Sequence, residues 1–159
     1  MVRERVGVAL PRGHSLARKR AIRAAELNGL PLIAFARRSD PQEYDRLFAT
    51  LADAGLTDVR LAHESHPGAV EASLRLVAAG AGLSPKLRSE VDAFGSTEVL
   101  WRPLADAEIP VVIAAAWRTD RLAPAVEVVP ALLRELAGAG EGPAPFAGAG
   151  PSTGSQLGL

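Results

Sequence analysis

The sequence predicts an α/β fold, a mostly parallel sheet with helices on both faces. Three observations carry it. Strand-like and helix-like segments alternate along most of the 159 residues, the pattern of βαβ units whose crossovers lay helices on a parallel sheet. Residues 30–35 and 109–117 are continuous apolar runs of strand length, as in strands buried on both faces. Residues 65–85 form a helix marked at both ends. Pro67 suits a first helical turn, where its missing N–H costs nothing, and Ser65 or His66 then stands at the N-cap. Val70, Leu74 and Val77 follow at helical spacing, and Gly80 supplies a left-handed stop.

The other elements follow in order. Residues 5–10 read as a strand, ended by the turn Pro11-Arg12-Gly13-His14, in which His14 is a structural hydrogen-bonder. Residues 21–27 make one or two helical turns, stopped by Asn28-Gly29. After the strand at 30–35, Asp40 is an N-cap, Pro41 the first helical residue and Glu43 its capping-box partner. Tyr44, Leu47, Phe48 and Leu51 form that helix's apolar stripe, and Gly55 ends it. A strand at 59–64 leads into the central helix. Ser84-Pro85 reads as a further N-cap and first turn, opening a short helix to about Val91. Residues 98–102 are a strand, 105–108 a polar turn and 109–117 a strand. Residues 124–136 are a helix that Pro130 kinks or restarts. Residues 137–159, rich in Gly, Ala, Pro and Ser, read as a disordered tail.

Composition narrows the class. Hydrophobic residues make up 48%, charged residues 23% and aromatics only 4%, so a soluble core must be built from Ala, Val and Leu. With no cysteine there are no disulfides, thiolate metal sites or cysteine nucleophiles, which fits a reducing, cytoplasmic setting. No signal peptide opens the chain, and no apolar run is long enough to span a bilayer, so no membrane partner is expected. The net charge of zero is uneven: Arg3, Arg5, Arg12, Arg18, Lys19, Arg20, Arg23, Arg37 and Arg38 face only Glu4, Glu26 and Asp40 within residues 1–40. The cluster Arg18-Lys19-Arg20 lacks interleaved aromatics and a recognition-helix pattern, so it reads as a solvated face rather than a nucleic-acid site.

Two helix starts, at Ser39/Asp40 and Ser65/His66, each follow a strand of the parallel set and so face the ligand side of such a sheet. Free N–H groups and hydroxyls there suit a carboxylate or other anion, with Arg37 or Arg38 adding charge. Phe35, Arg37, Arg38, Ser39, Ser65, His66 and Gly68 are the candidate effector-binding residues; the same serines and histidine also serve simply as caps. Asp40 repels an anion, which favours Ser39 and backbone N–H groups as contacts. His63-Glu64-Ser65-His66 is not a His-Glu-x-x-His helix and lacks a third ligand, so no metal is expected. Gly80-Ala81-Gly82 lies at a helix end and is no phosphate loop. No nucleophile comes with a base and an orienting group, so neither catalysis nor a cofactor is expected.

Several short strings, in order, resemble the effector-binding region of LysR-type transcriptional regulators. They are Ala9-Leu10-Pro11-Arg12-Gly13-His14-Ser15-Leu16-Ala17, Leu27 with Pro31-Leu32-Ile33, and Leu76-Val77-Ala78-Ala79-Gly80-Ala81-Gly82. Arg102-Pro103-Leu104, Ala115-Ala116-Trp117-Arg118 and residues 122–136 complete the resemblance, which spans about residues 5–136. It implies a periplasmic-binding-protein-like lobe: the second of two α/β lobes around a ligand cleft, plus a returning strand and helix, over residues 1–136. It further implies a truncated effector-sensing domain without the winged helix-turn-helix, hence no direct DNA binding by this chain. The implied partners are a small-molecule effector, a second copy through the returning strand and last helix, or a full-length regulator engaging the helix at 40–54 and the strand at 59–64. The alternative reading is an interaction module that pairs with a full-length regulator without binding ligand itself.

Overall fold

The structure, a computed structural model, describes residues 2–66 and 68–113. The expected helix at 124–136, the tail at 137–159, Pro67 and the end of the strand at 109–117 lie outside the described residues.

Strand β1 (Val2–Pro11) is the centre of the sheet. Its second half pairs antiparallel with β4 (Ser84–Leu87) on one edge and β5 (Val99–Pro103) on the other, while its first half pairs antiparallel with β6 (Pro110–Ile113). Strands β2 (Pro31–Phe35) and β3 (Arg60–Ser65) form a parallel ladder, irregular between Leu32 and Ile33, where Ala62 of β3 is left over. Leu83 stitches the two ladders together: Ile33 N–H donates to the Leu83 carbonyl at 2.7 Å and Leu83 N–H donates to the Pro31 carbonyl at 2.8 Å. The arrangement is therefore mixed rather than mostly parallel. Alternating strands and helices fix the parallel β2–β3 pair, but β1 enters ahead of any helix and lies opposite in direction to β4, β5 and β6.

Side-chain alternation along the strands divides the core in two. Val8 and Leu10 of β1 and Leu32 of β2 face Leu47 and Leu51 of α1 (Pro41–Asp53), together with Ile22, Leu27 and Ile109. Ala9 and Ile33 face the other way, toward Leu74 and Val77 of α2 (Val70–Ala78) and Val91 of α3 (Arg88–Phe94). Helices thus cover both faces.

Helix ends follow the sequence, with exceptions. Asp40 caps α1, its carboxylate accepting the Glu43 N–H at 3.0 Å. The reciprocal half of the expected capping box is absent, because the Glu43 carboxylate pairs with Arg46 instead. Both α1 and α2 close by the same device. Gly55 (φ +102°) donates to Ala52 and Leu56 N–H to the Leu51 carbonyl, while Gly80 (φ +78°) donates to Val77 and Ala81 N–H to the Leu76 carbonyl. Each glycine occupies the left-handed conformation that this double bond requires.

Three expectations are corrected. Helix α2 begins at Val70 with Ala69 as its cap, not at Pro67. His66 instead closes the preceding turn, its carbonyl accepting the Ala69 N–H and its Nδ1 the Gly68 N–H. Ser84-Pro85 does not start a helix but opens β4, because the buried Ser84 hydroxyl donates across to the Ile33 carbonyl at 2.7 Å rather than capping a turn. Helix α3 starts after Leu87, whose N–H donates to the Glu90 carboxylate at 2.8 Å. Residues 21–27 hold a single 3₁₀ turn (Ala24–Leu27), and a second, unexpected one (Ser15–Arg18) is capped by His14 Nδ1, which accepts the Leu16 N–H.

Candidate functional site

Parallel strands β2 and β3 end at Phe35 and Ser65, and a cavity of about 210 Å³ opens just beyond those carboxyl ends. This is where open α/β sheets take ligands, because the chain leaves each strand there and exposes backbone and loop groups. Phe35, Ser65 and His66 line it, joined by Asp40 and Glu43 from the first turn of α1. Leu47 of α1, Pro85, Lys86 and Leu87 of β4, Glu90 of α3, and Val6 and Val111 from the β1–β6 pair complete the wall.

Each lining group has a local reason to be there. Phe35 is half-buried and meets Tyr44 edge-on at 5.7 Å between ring centres, and Tyr44 leans on Phe48 at 4.5 Å. This aromatic row fixes the first turn of α1 against the end of β2. Burial there, with the nearby Glu64 charge, pushes the Tyr44 phenol above its ordinary range. Ser65 directs its hydroxyl to the Ala34 carbonyl at 3.4 Å, and its own carbonyl accepts the Ala36 N–H at 3.0 Å. His66 is exposed, with Nδ1 accepting the Gly68 N–H at 3.2 Å.

The sequence-derived candidates divide. Phe35, Ser65 and His66 share the cavity, and Gly68 sits beside it as the donor that orients His66. Arg37 and Arg38 are exposed and engaged elsewhere. Arg37 grips Asp45 on α1 with two hydrogen bonds, of 2.7 and 2.6 Å, and Arg38 reaches Glu64 at 3.4 Å. Asp45, bound to the Arg37 guanidinium, titrates below the usual carboxylate range. Ser39 is exposed, its N–H donating to the Ala36 carbonyl at 2.9 Å.

Lys86 is the lining residue that sequence reasoning missed, because Ser-Pro-Lys-Leu was read as a helical turn. In a strand the same tetrapeptide alternates, which turns Lys86 into a half-buried position beside Trp101, whose indole N–H donates to the Lys86 carbonyl at 2.9 Å. Burial pushes the Lys86 ammonium below the ordinary lysine range, opposed in part by the Glu90 charge. Among the described residues its Nζ has no ion pair. Among those residues, too, no group of three His, Asp or Glu side chains converges as for a metal.

A second, larger depression of about 590 Å³ lies against α3 and β5 and includes Arg88, Trp101 and Arg102. Of its three guanidinium groups, those of Arg20, Arg88 and Arg102, the last two are occupied by the protein itself. Arg102 donates to the carbonyls of Ala17, Lys19 and Trp101, and Arg88 reaches Asp92 at 3.3 Å while lying 6.0 Å from the Trp101 ring centre. It touches none of the strand ends that build the first cavity.

Comparison with known proteins agrees with this architecture. The regulator BudR of Raoultella terrigena, an HTH-type transcriptional regulator, is 30% identical over 111 residues, which cover 70% of this chain and 37% of that protein. HinK, a LysR family transcriptional regulator from Pseudomonas aeruginosa, superposes with a TM-score of 0.63 at 20% identity over 87% of this chain and 47% of its own. The BenM effector binding domain, solved with its effector benzoate, gives 0.57 at 21% identity over 69% of this chain and 49% of its own. The chain therefore spans about half, or less, of the length of these relatives. Residues 1–138 match the LysR substrate binding domain family. That match covers most of the chain, which therefore belongs to this family.

Proposed function

We propose that this domain is the effector-sensing part of a cytoplasmic LysR-type regulator, a periplasmic-binding-protein-like lobe that takes a compact carboxylate or other anion in the cavity beyond β2 and β3. The observation that carries this reading is Lys86, an ammonium without an ion-pair partner among the described residues, in one cavity with Phe35, Ser65 and His66. Benzoate, the effector named for the structural relative BenM, is a ligand of this chemistry. Phe35 supplies an apolar wall, Lys86 supplies charge, His66 an imidazole N–H and Ser65 a hydroxyl; Gly68 orients His66. In this reading Arg37, Arg38 and Ser39 act at the rim, where the Arg37–Asp45 and Arg38–Glu64 pairs must open before either guanidinium reaches a ligand. Ligand contact that differs between two arrangements of the domain shifts their populations, which is how a bound effector alters a regulator's output. The domain is not proposed as an enzyme.

The test is ligand-induced thermal stabilisation of the purified chain against small carboxylates, aromatic acids and amino acids. A saturable rise in melting temperature is expected for one class, growing with ligand concentration as linkage requires. Lys86→Met should abolish that rise while raising the ligand-free melting temperature, because it removes a charge held out of water. A Lys86→Met chain that still responds to the same ligand would refute the assignment.

A second reading, a module that pairs with a full-length regulator, draws on β3. Its Val59 flank and Leu61 are exposed at 41% and 38%, on a strand that, among the described residues, is paired along one edge. Co-purification with such a regulator, together with no response to any small ligand, would favour it.

A further inference from the structure

The depression of about 590 Å³ against α3 and β5 has no part in the effector reading. Three arginines reach it from three elements of the fold. Arg20 sits on a stretch of chain fixed at both ends. Before it, the Lys19 carbonyl accepts from Arg102 Nε at 2.7 Å; after it, the Ile22 N–H donates to the Pro103 carbonyl at 3.0 Å. Arg102 itself lies on β5 and also donates to the Ala17 and Trp101 carbonyls, at 2.8 and 2.9 Å. Those three acceptors are neutral, so Arg102 fixes the segment that carries Arg20 and keeps its own charge. Among the described residues neither Arg20 nor Arg102 has an ion pair. Arg88 enters from the first turn of α3 and reaches Asp92 at 3.3 Å, in a pair whose side chains are exposed at 69% and 64%. A pair this exposed contributes little and opens readily.

Trp101 gives the depression an apolar surface between these charges. Its indole stands over Gly7, where a Cβ would lie 2.4 Å from the ring, and its N–H is tied to the Lys86 carbonyl. The Arg88 guanidinium lies 6.0 Å from the ring centre, so one small molecule can reach both. Three arginines against Asp92 leave the lining two positive charges in excess. Guanidinium groups match the planar geometry of carboxylate and phosphate oxygens, and an indole takes a flat apolar body against it. A monoanion answers only one of the two excess charges. We infer that this depression is a second ligand site, one that takes an organic dianion with a planar body, its charge held between Arg20 and Arg88 and its ring against Trp101. Arg102 is a positioning residue. The site stands independently of the cavity beyond β2 and β3.

The experiment is calorimetric titration of the whole chain at about pH 8, where a phosphate monoester carries close to two charges. The probes are phenyl phosphate and phthalate, both dianions; methyl phenyl phosphate, a monoanion with the same ring; and inorganic phosphate, which has no ring. At least one aromatic dianion should bind about tenfold more tightly than the monoanion, a free-energy difference of about 1.4 kcal/mol, and more tightly than inorganic phosphate. The tighter of the two dianions tells whether phosphate or carboxylate is the natural group. Arg20→Ala and Arg88→Ala should each weaken that dianion about tenfold, as loss of a hydrogen bond to a charged group does. Arg18→Ala removes the same charge from an exposed position outside the depression, and should change affinity by less than about twofold because water screens it. Lys86→Met, which strips the other cavity of its ammonium, should leave the dianion bound. Equal binding of the monoanion, or equal weakening by Arg18→Ala and Arg20→Ala, would reduce the effect to diffuse charge and overturn the site. So would loss of dianion binding in Lys86→Met, which would move the ligand to the other cavity, or no binding of either dianion at millimolar concentration. Inorganic phosphate binding as tightly as phenyl phosphate would remove Trp101 from the site.

Discussion

Strands β1 and β3 differ in almost every respect that matters to stability. β1 is paired along both edges and buried from Gly7 to Leu10. β3 is paired along one edge and exposed from Arg60 to Glu64. Yet β3 delivers Ser65 and His66 to the candidate site, while β1 contributes only Val6 to its wall. The contrast teaches that the residues fixing the fold and those offered to a ligand sit on different strands. Regions with few buried apolar contacts open locally at low cost, and binding segments are drawn from them.

The sharpest way to break the contrast is at Gly7. A Cβ there would stand 2.4 Å from the Trp101 ring and 2.5 Å from the Arg102 carbonyl. Gly7→Ala should therefore cost about 3 kcal/mol or more, the upper range for forced overpacking, read as a fall in the urea midpoint. Ser84→Ala comes next. It deletes a buried hydroxyl bonded to the Ile33 carbonyl beside the Leu83 stitch, and a loss of about 1 kcal/mol is expected in the same titration. Leu61→Thr on β3 should stay within about 0.5 kcal/mol, as surface changes do; a loss as large as that of Gly7→Ala would mean that β3 is covered in solution. The smallest effect is electrostatic. The Lys19 ammonium and the Arg23 N–H hold the Glu26 carboxyl below its ordinary value of 4.5. A depressed acid stabilises the fold above its unfolded value, and that contribution is lost as pH falls through the folded one. Wild type should lose slightly more stability than Glu26→Gln between pH 5 and pH 3, by less than about 1 kcal/mol because water screens the pair.

Much of the fold was legible because local chemistry is strict at helix ends. Asp40-Pro41, Gly55 and Gly80 each mark a boundary that backbone hydrogen bonding enforces. That β2 is buried on both faces was legible as a continuous apolar run; how its side chains divide between the two cores was not. Pairing was not: nothing local to residues 2–11 states that three antiparallel neighbours meet there, since partners lie at Ser84, Val99 and Pro110, far along the chain. Ser84-Pro85 misled because a serine before a proline has the same local signature whether its hydroxyl caps a helix or crosses to a neighbouring strand. That one error hid Lys86. That Phe35 and Ser65 end neighbouring parallel strands was legible, whereas the pairing of Arg37 and Arg38 depends on Asp45 and Glu64, whose positions only the fold decides.

The length of β1 has a mechanical consequence. One unbroken strand belongs to the β6 pair over Val2–Arg5 and to the β4 and β5 pairs over the rest. Its ladder bonds lie across the strand axis, so tension applied along that axis loads many of them at once in shear instead of peeling them one by one. A displacement at the β6 end, which itself carries Val111 of the cavity wall, is therefore passed along β1 toward the β4 ladder that carries Lys86.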